Sequence, residues 1–281
     1  MFLKFILVVL LFDTACNAIH PLIQPVALTE EDIQNIPMKA AGMVCEDVLF
    51  LACQNQFNQY LNISANTDWH NTTYMIEQLD QFYKQDLNSG LFVLCQARSR
   101  FERCLGGQYA ACLNRLNFVR HNIANSEAYR FVAIFKMLEF ECNGGNIQAT
   151  KNWPCMYSIY ASPTYQKAAN DCMASYYSAT QNQPDRICAA GQTLCKCLEL
   201  QFTIGCARGI LDMRWFECER IRTSFEIDGF CPNISCSTMV FGSAGFVIDP
   251  EMVEAHNRIK WDFYDSFANT NRRAKRQVNM E

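Results

Sequence analysis

Apolar positions recur along nearly the whole chain at helical spacing. Thr29-Glu30-Glu31-Asp32 resembles a capping box and opens a short helix that Pro37 closes. Met75, Ile76, Leu79, Phe82 and Tyr83 fall at i, i+1, i+4, i+7 and i+8, a single helical face. Leu91, Leu94, Cys95, Arg98, Phe101 and Leu105 keep this spacing until Gly106-Gly107 interrupts it, and Tyr109, Cys112, Leu113 and Leu116 resume it. Phe131, Val132, Phe135, Leu138 and Cys142 form another stripe, with Gly144-Gly145 as the expected C-cap. Ser162-Pro163 reads as a cap followed by a first turn, ahead of Tyr165, Ala169, Cys172, Met173 and Tyr176. Pro184 opens a helix through Ile187, Cys188, Leu194, Leu198 and Phe202. Asp249-Pro250-Glu251 opens a last one, with Met252, His256, Ile259 and Phe263 on one stripe. Alternation at period two is nearly absent, and residues 239–248 are its one weak strand candidate. The expected fold is all-α.

The start of the chain sets the compartment. Lys4 precedes an unbroken apolar run, Phe5 to Phe12, and small or polar residues follow through Ala18. That order reads as a secretory signal peptide over residues 1–18, too short to span a bilayer, with cleavage after Ala18 or, alternatively, after Cys16. The apolar runs that follow also fall short of the length a membrane helix needs. The expected protein is secreted and extracellular, without a membrane span.

Cysteine is the residue that changes the picture most. The chain has 16, and losing Cys16 with the leader leaves 15. In an oxidising compartment these read as a disulfide framework: Cys45, Cys53, Cys95, Cys104, Cys112, Cys142, Cys155, Cys172, Cys188, Cys197, Cys206, Cys218, Cys231 and Cys236. Cys45 and Cys53, were they on one helix, would stand roughly 12 Å apart along its axis, too far to bond each other. Bridges are therefore expected between neighbouring helices, giving a disulfide-stapled helical bundle. The odd remainder implies either a covalent homodimer or one modifiable thiol. Cys195 is the candidate unpaired residue, because Cys95, Cys104, Cys112 and Cys142 map onto Cys188, Cys197, Cys206 and Cys236 at offsets of 93 or 94 and leave it without a counterpart.

This mapping suggests two related helical modules. The expected organisation is a leader at 1–18, an N-terminal segment with the short helix at 19–43, and modules at 44–146 and 147–237. A C-terminal helix at 238–268 and a disordered basic tail at 269–281 complete it. Within the tail, Arg273, Lys275 and Arg276 fit the pattern that secretory-pathway convertases cut. Three sequons, at Asn62, Asn71 and Asn233, are candidate N-glycosylation sites.

Charge and motifs exclude more than they assign. A formal net charge of −4 speaks against a nucleic-acid partner. Serine-hydrolase elbows, zinc-protease helices, P-loops and dinucleotide fingerprints do not occur. A secreted phospholipase A₂, the natural helical rival, would need a His-Asp pair beside paired cysteines and a glycine-rich calcium loop, and neither is found. Of the four histidines, His20 lies near the start, His70 between two candidate glycans, His121 at a helix end and His256 on an apolar stripe. The expectation is a protein that is not an enzyme and uses no cofactor.

Residues 91–113 (LFVLCQARSRFERCLGGQYAACL), with 137–145 (MLEFECNGG) and 152–160 (NWPCMYSIY), carry a family likeness. They resemble the cysteine framework of a nematode secreted family, the chondroitin proteoglycan 4 type. The nematode twelve-cysteine secreted domain of unknown function is close behind. The first resemblance implies an extracellular-matrix or eggshell protein bearing glycosaminoglycan on Ser-Gly sites. Only Ser89-Gly90 offers that dipeptide, so Ser89 is a weak glycosaminoglycan candidate, and Gly90 reads first as the C-cap of a helix ending near Leu87. The functional expectation is a matrix or binding component whose partners are extracellular matrix or another secreted protein. A helical carrier of an apolar molecule and a secreted enzyme of unrecognised type are the alternatives.

Overall fold

Thr29 starts the first helix as its sequence implies. In the computed structural model its hydroxyl accepts from the Asp32 N–H at 3.1 Å, while the Asp32 carboxylate accepts from the Thr29 N–H at 2.9 Å. The structure describes residues 28–84, 89–202 and 210–236. Among these every regular element is a helix. The leader, the weak strand candidate at 239–248, the C-terminal helix, the basic tail with Arg273, Lys275 and Arg276, and Cys206, His20 and His256 lie outside the described residues.

The earlier part of the described chain holds α1 (Glu30–Asn35), α2 (Asp47–Leu61), α3 (Thr72–Tyr83), α4 (Ser89–Leu105), α5 (Tyr109–Cys112), α6 (Arg115–Arg120) and α7 (Asn125–Cys142). Helix α4 packs along α2 and α3, and α7 closes over α4 and α6. Their apolar stripes meet in an aromatic core. Phe101 and Phe135 stand 4.9 Å apart between ring centroids, Phe131 and Phe135 5.0 Å, Phe118 and Phe131 5.0 Å, and Phe50 and Trp69 4.8 Å. The later part holds α8 (Asn146–Tyr160), α9 (Pro163–Thr180), α10 (Ile187–Glu199) and α11 (Ile210–Phe225). Helix α10 packs between α9 and α11, and α11 lies against α7 and α8. The α7–α11 contact is thus the seam between the two groups of helices. Ser162 caps α9 by accepting from the Tyr165 N–H at 3.1 Å, with Pro163 in the first turn.

The C-cap signal at Gly144-Gly145 holds: α7 ends at Cys142, and the Gly145 N–H donates to the Phe140 carbonyl at 2.8 Å. Gly145 has a packing role besides, since a Cβ there would lie 2.7 Å from the Phe216 ring and 2.8 Å from that of Phe140, so the missing side chain lets α11 approach α7. Two local expectations are corrected. Ser89-Gly90 begins α4 and does not cap the helix before it, which ends at Tyr83. Gly90 is buried, and a Cβ there would overlap the Phe82 carbonyl, so close backbone approach explains the glycine. The stripe from Tyr109 to Leu116 is not one helix, because Asn114 caps a separate α6 by accepting from the Leu116 N–H at 3.0 Å.

The bridges join separate segments of chain. Cys45 bonds Cys112, Cys53 bonds Cys104 and Cys95 bonds Cys142. Cys172 bonds Cys197, Cys188 bonds Cys231 and Cys218 bonds Cys236. Cys155 is disulfide-bonded as well. Cys45 and Cys53 thus bond elsewhere and not to each other. The repeat mapping holds in part: Cys95 and Cys104 on α4, and Cys188 and Cys197 on α10, each send one bridge to a preceding helix and one to a residue further on. The bonding counterpart of Cys142 is Cys231, however, and not Cys236. The reason is that Cys236 is taken by Cys218, a bridge that folds the chain after α11 back onto that helix.

Arginine 115 clamps the N-terminal segment. It is fully buried on α6 and donates to the carbonyls of Ile33 at 3.3 Å and Ile36 at 2.6 Å. Its Nε lies 2.9 Å from a carboxylate oxygen of Asp228, in the turn that follows α11. One guanidinium therefore ties α1, α6 and the end of α11 together.

Candidate functional site

The α7–α11 seam is built from a repeated hexapeptide pattern. Met137-Leu138-Glu139-Phe140-Glu141-Cys142 ends α7, and Met213-Arg214-Trp215-Phe216-Glu217-Cys218 lies within α11. The two phenylalanines stack with ring centroids 5.2 Å apart. Each glutamate turns inward and takes a hydrogen bond from a tyrosine hydroxyl: Tyr83 of α3 donates to Glu141, and Tyr160 of α8 donates to Glu217. Tyr165 of α9 adds a second donor to Glu217 at 3.0 Å. Arg220, one turn along α11, forks onto both Glu217 oxygens at 3.0 Å each and reaches the Met137 sulfur at 3.6 Å. Five helices, α3, α7, α8, α9 and α11, meet at this cluster, and every member is buried.

Charge decides how the cluster behaves. Two carboxylates face one guanidinium, and Arg220 is committed in bidentate fashion to Glu217. Glu141 has one oxygen on Tyr83 and another without a hydrogen-bond partner. Burial pushes Glu141 up to about 7, with Arg220 pulling it down and Glu217 adding to the rise. Burial pushes Tyr83, Tyr160 and Tyr165 well above the usual phenol value, so all three remain donors. Burial lowers Arg220, but the Glu217 charge outweighs it and the guanidinium stays ionised.

A pH dependence follows. Burial lifts the Glu141 carboxyl from its ordinary value of 4.5 to about 7 in the folded chain, so between those values the folded chain holds a proton that the unfolded chain has released. Its contribution is complete below the unfolded value and is lost as pH rises through about 7. Over that window wild type should lose about 3 kcal/mol relative to Glu141→Gln, the neutral isostere. Urea titrations of both proteins at pH 5 and pH 8 measure the difference, and parallel pH profiles would contradict it.

Of the candidate site groups singled out in the sequence, Cys142 and Cys218 adjoin the cluster, each directly after its glutamate, and the others lie outside it. Cys195, on α10, is the unbridged cysteine among the described residues, and it is buried at 0% exposure. Burial, with Glu217 and Glu199 nearby, pushes its thiol far above the ordinary range, the opposite of an activated nucleophile. A covalent dimer through Cys195 would require α10 to open. Maleimide added to the folded, unreduced protein should therefore leave Cys195 unlabelled and should label it once denaturant is present. Rapid labelling without denaturant would contradict its burial.

All three candidate glycan acceptors are exposed. Asn62 ends α2 in the left-handed region at φ 53°, and Asn71 caps α3 by accepting from the Tyr74 N–H at 2.9 Å through Oδ1, which leaves Nδ2 for a sugar. Asn233 lies in the loop between Cys231 and Cys236. Ser89 is exposed in the first turn of α4. His70 pairs with Asp68 at 2.9 Å, and His121 with Asp47 at 3.1 Å, both at the surface.

Two open clefts mark the described surface. One of about 350 Å³ is lined by Lys136, Glu139, Phe140, Asn143, Thr223 and Glu226. The other, about 510 Å³, runs between α1 and the chain that joins α9 to α10, beside Glu30, Glu31 and Asn182. Among the described residues there is no group of three or more His, Cys, Asp or Glu placed to hold a metal ion, and no helix long and apolar enough to cross a membrane. No protein-family model, curated protein or solved structure matches the chain.

The sequence places Tyr83 and Tyr165 on helical stripes, but it does not mark them, with Glu141, Tyr160, Glu217 and Arg220, as one polar cluster. Its signal was present as the repeated Met-x-x-Phe-Glu-Cys, which places the same charged residue before a cysteine twice.

Proposed function

We propose that the protein is a secreted, N-glycosylated extracellular component that works by binding or by building matrix, without catalysis. The observation that carries this reading is the set of six interhelical and helix–loop bridges, because such bonds persist in oxidising compartments and are reduced in the cytosol. The leader-like start and the three exposed acceptor asparagines support the same compartment. The polar cluster supports a non-catalytic role: its tyrosines, glutamates and arginine are sealed from solvent, where they orient helices and do not meet a substrate. An apolar contact for a partner is offered by Val44, just before α2, and by Val48 and Leu51 in its first turns, with exposures of 77%, 76% and 49%. The carrier reading has less support, since stacked rings fill the described interior. The matrix role accords with the proteoglycan-family likeness, whereas the packing reason for Gly90 leaves Ser89 with little claim to a glycosaminoglycan.

Expression of the full chain in secreting eukaryotic cells tests this reading. The protein should reach the medium, oxidised, and lose mass on treatment with an N-glycosidase. A reduced, unglycosylated chain retained in the cytosol would contradict it.

A further inference from the structure

The three acceptor asparagines differ in where their neighbouring cysteines find partners. Asn62 and Asn71 lie between Cys53 and Cys95, whose partners Cys104 and Cys142 come later in the chain. Asn233 lies between Cys231 and Cys236, whose partners Cys188 and Cys218 come earlier. A chain entering an oxidising compartment from its N-terminus presents Asn62 and Asn71 before either flanking bridge can form. When Asn233 arrives, both partner thiols are already inside. At synthesis rates of about 5–20 residues per second, residues 231–236 enter within about a second of one another.

The folded loop gives this order its consequence. Bridges pin both ends of residues 231–236, and Cys231 is held at φ 49°. Ile234, the middle residue of the sequon, is buried at 4% exposure against α10, with its Cδ1 3.1 Å from where a Cβ on Gly191 would stand. The Ser235 N–H donates to the Gln192 side-chain oxygen at 2.7 Å, and the Ser235 carbonyl accepts from the Gln192 amide at 2.9 Å. Asn233 itself is exposed, so the fold tolerates an attached sugar. Its backbone, however, cannot straighten into a transferase cleft once the loop is closed.

We propose that glycosylation of Asn233 competes with closure of the Cys188–Cys231 and Cys218–Cys236 bridges, so that oxidation sets glycan occupancy there while Asn62 and Asn71 are modified independently of it. This rests on the secreted reading above. In the modification, the bond from Asn233 Nδ2 to the sugar's anomeric carbon forms as that carbon's bond to its lipid-diphosphate carrier breaks, and Nδ2 loses one proton. In the competing step, two thiols lose two electrons and two protons to the disulfide of a thiol oxidoreductase, which is reduced to its dithiol.

Peptide mass spectrometry of the full chain from secreting cells reads occupancy at the three sites. In wild type, occupancy at Asn233 should be several-fold below that at Asn62 and Asn71. It should rise towards theirs in Cys188→Ser/Cys231→Ser and in Cys218→Ser/Cys236→Ser. Wild-type cells pulsed with dithiothreitol should show the same rise, which keeps the test decisive if the variants fail to fold. Full occupancy of Asn233 in untreated wild type, or no response to either the variants or the reductant, overturns the proposal while glycans at Asn62 and Asn71 uphold the secreted reading. No glycan at any site, in a chain kept within the cell, overturns both.

Discussion

Arg220→Met should destabilise the protein by about 3–5 kcal/mol at pH 7, the cost of leaving buried carboxylates without their countercharge. Methionine nearly matches the arginine in length and fills the space, so the loss measures charge and hydrogen bonding more than volume. The substitution strips Glu217 of both forked bonds and removes the attraction that holds Glu141 down. Tyr160 and Tyr165 still donate to Glu217, but two carboxylates then share a sealed interior. Lowering the pH to 5 should shrink the penalty, because protonation relieves the repulsion. A second substitution, Glu217→Gln, should recover part of the loss for the same reason. Arg220→Lys should rescue poorly, since an ammonium cannot reproduce the fork. Denaturant titration measures each variant, and a loss below about 1 kcal/mol for Arg220→Met would contradict the role assigned to the cluster.

Phe131→Ala should cost about 3–5 kcal/mol for a different reason. Phe131 is at 0% exposure on α7, with ring centroids 5.0 Å from both Phe118 and Phe135 and 6.0 Å from Trp69. Removing the ring opens a cavity where α2, α4, α6 and α7 converge, and the bridges Cys53–Cys104 and Cys95–Cys142 limit how far those helices can close over it. Phe92→Ala is the control. That side chain lies 47% exposed on α4, and its loss should shift stability by no more than about 0.5 kcal/mol. Equal losses at the two positions would mean that the aromatic cluster is not the core of this part of the chain.

The elements that sequence made legible are those with apolar stripes and unambiguous caps: α1 from Thr29, α3 and α4 from their spacing, and α9 from Ser162-Pro163. Helix α11 is not legible in the sequence although Met213, Phe216, Glu217, Arg220 and Ser224 follow helical spacing. Three of those five core-facing residues are polar, so no apolar stripe signals the face. Their burial depends on partners such as Tyr160, 57 positions away from Glu217, which no local window can supply. Helix α8 was hidden by Pro154, which reads as a breaker yet lies within the helix. Cysteine spacing could exclude a Cys45–Cys53 bond, but the choice between Cys231 and Cys236 for Cys188 depends on how the chain turns after α11. At Gly90 and Gly145 the deciding contacts, with the Phe82 carbonyl and the Phe216 ring, are likewise features of packing.

Disulfide mapping of the protein recovered from the medium of secreting cells tests the central claim most directly. Digestion without reduction, followed by mass spectrometry, should return Cys45–Cys112, Cys53–Cys104, Cys95–Cys142, Cys172–Cys197, Cys188–Cys231 and Cys218–Cys236, with the unmodified thiol at Cys195. Reduced thiols at these twelve positions, or bridges that pair them differently, would contradict the account of a chain held by an oxidised framework for work outside the cell.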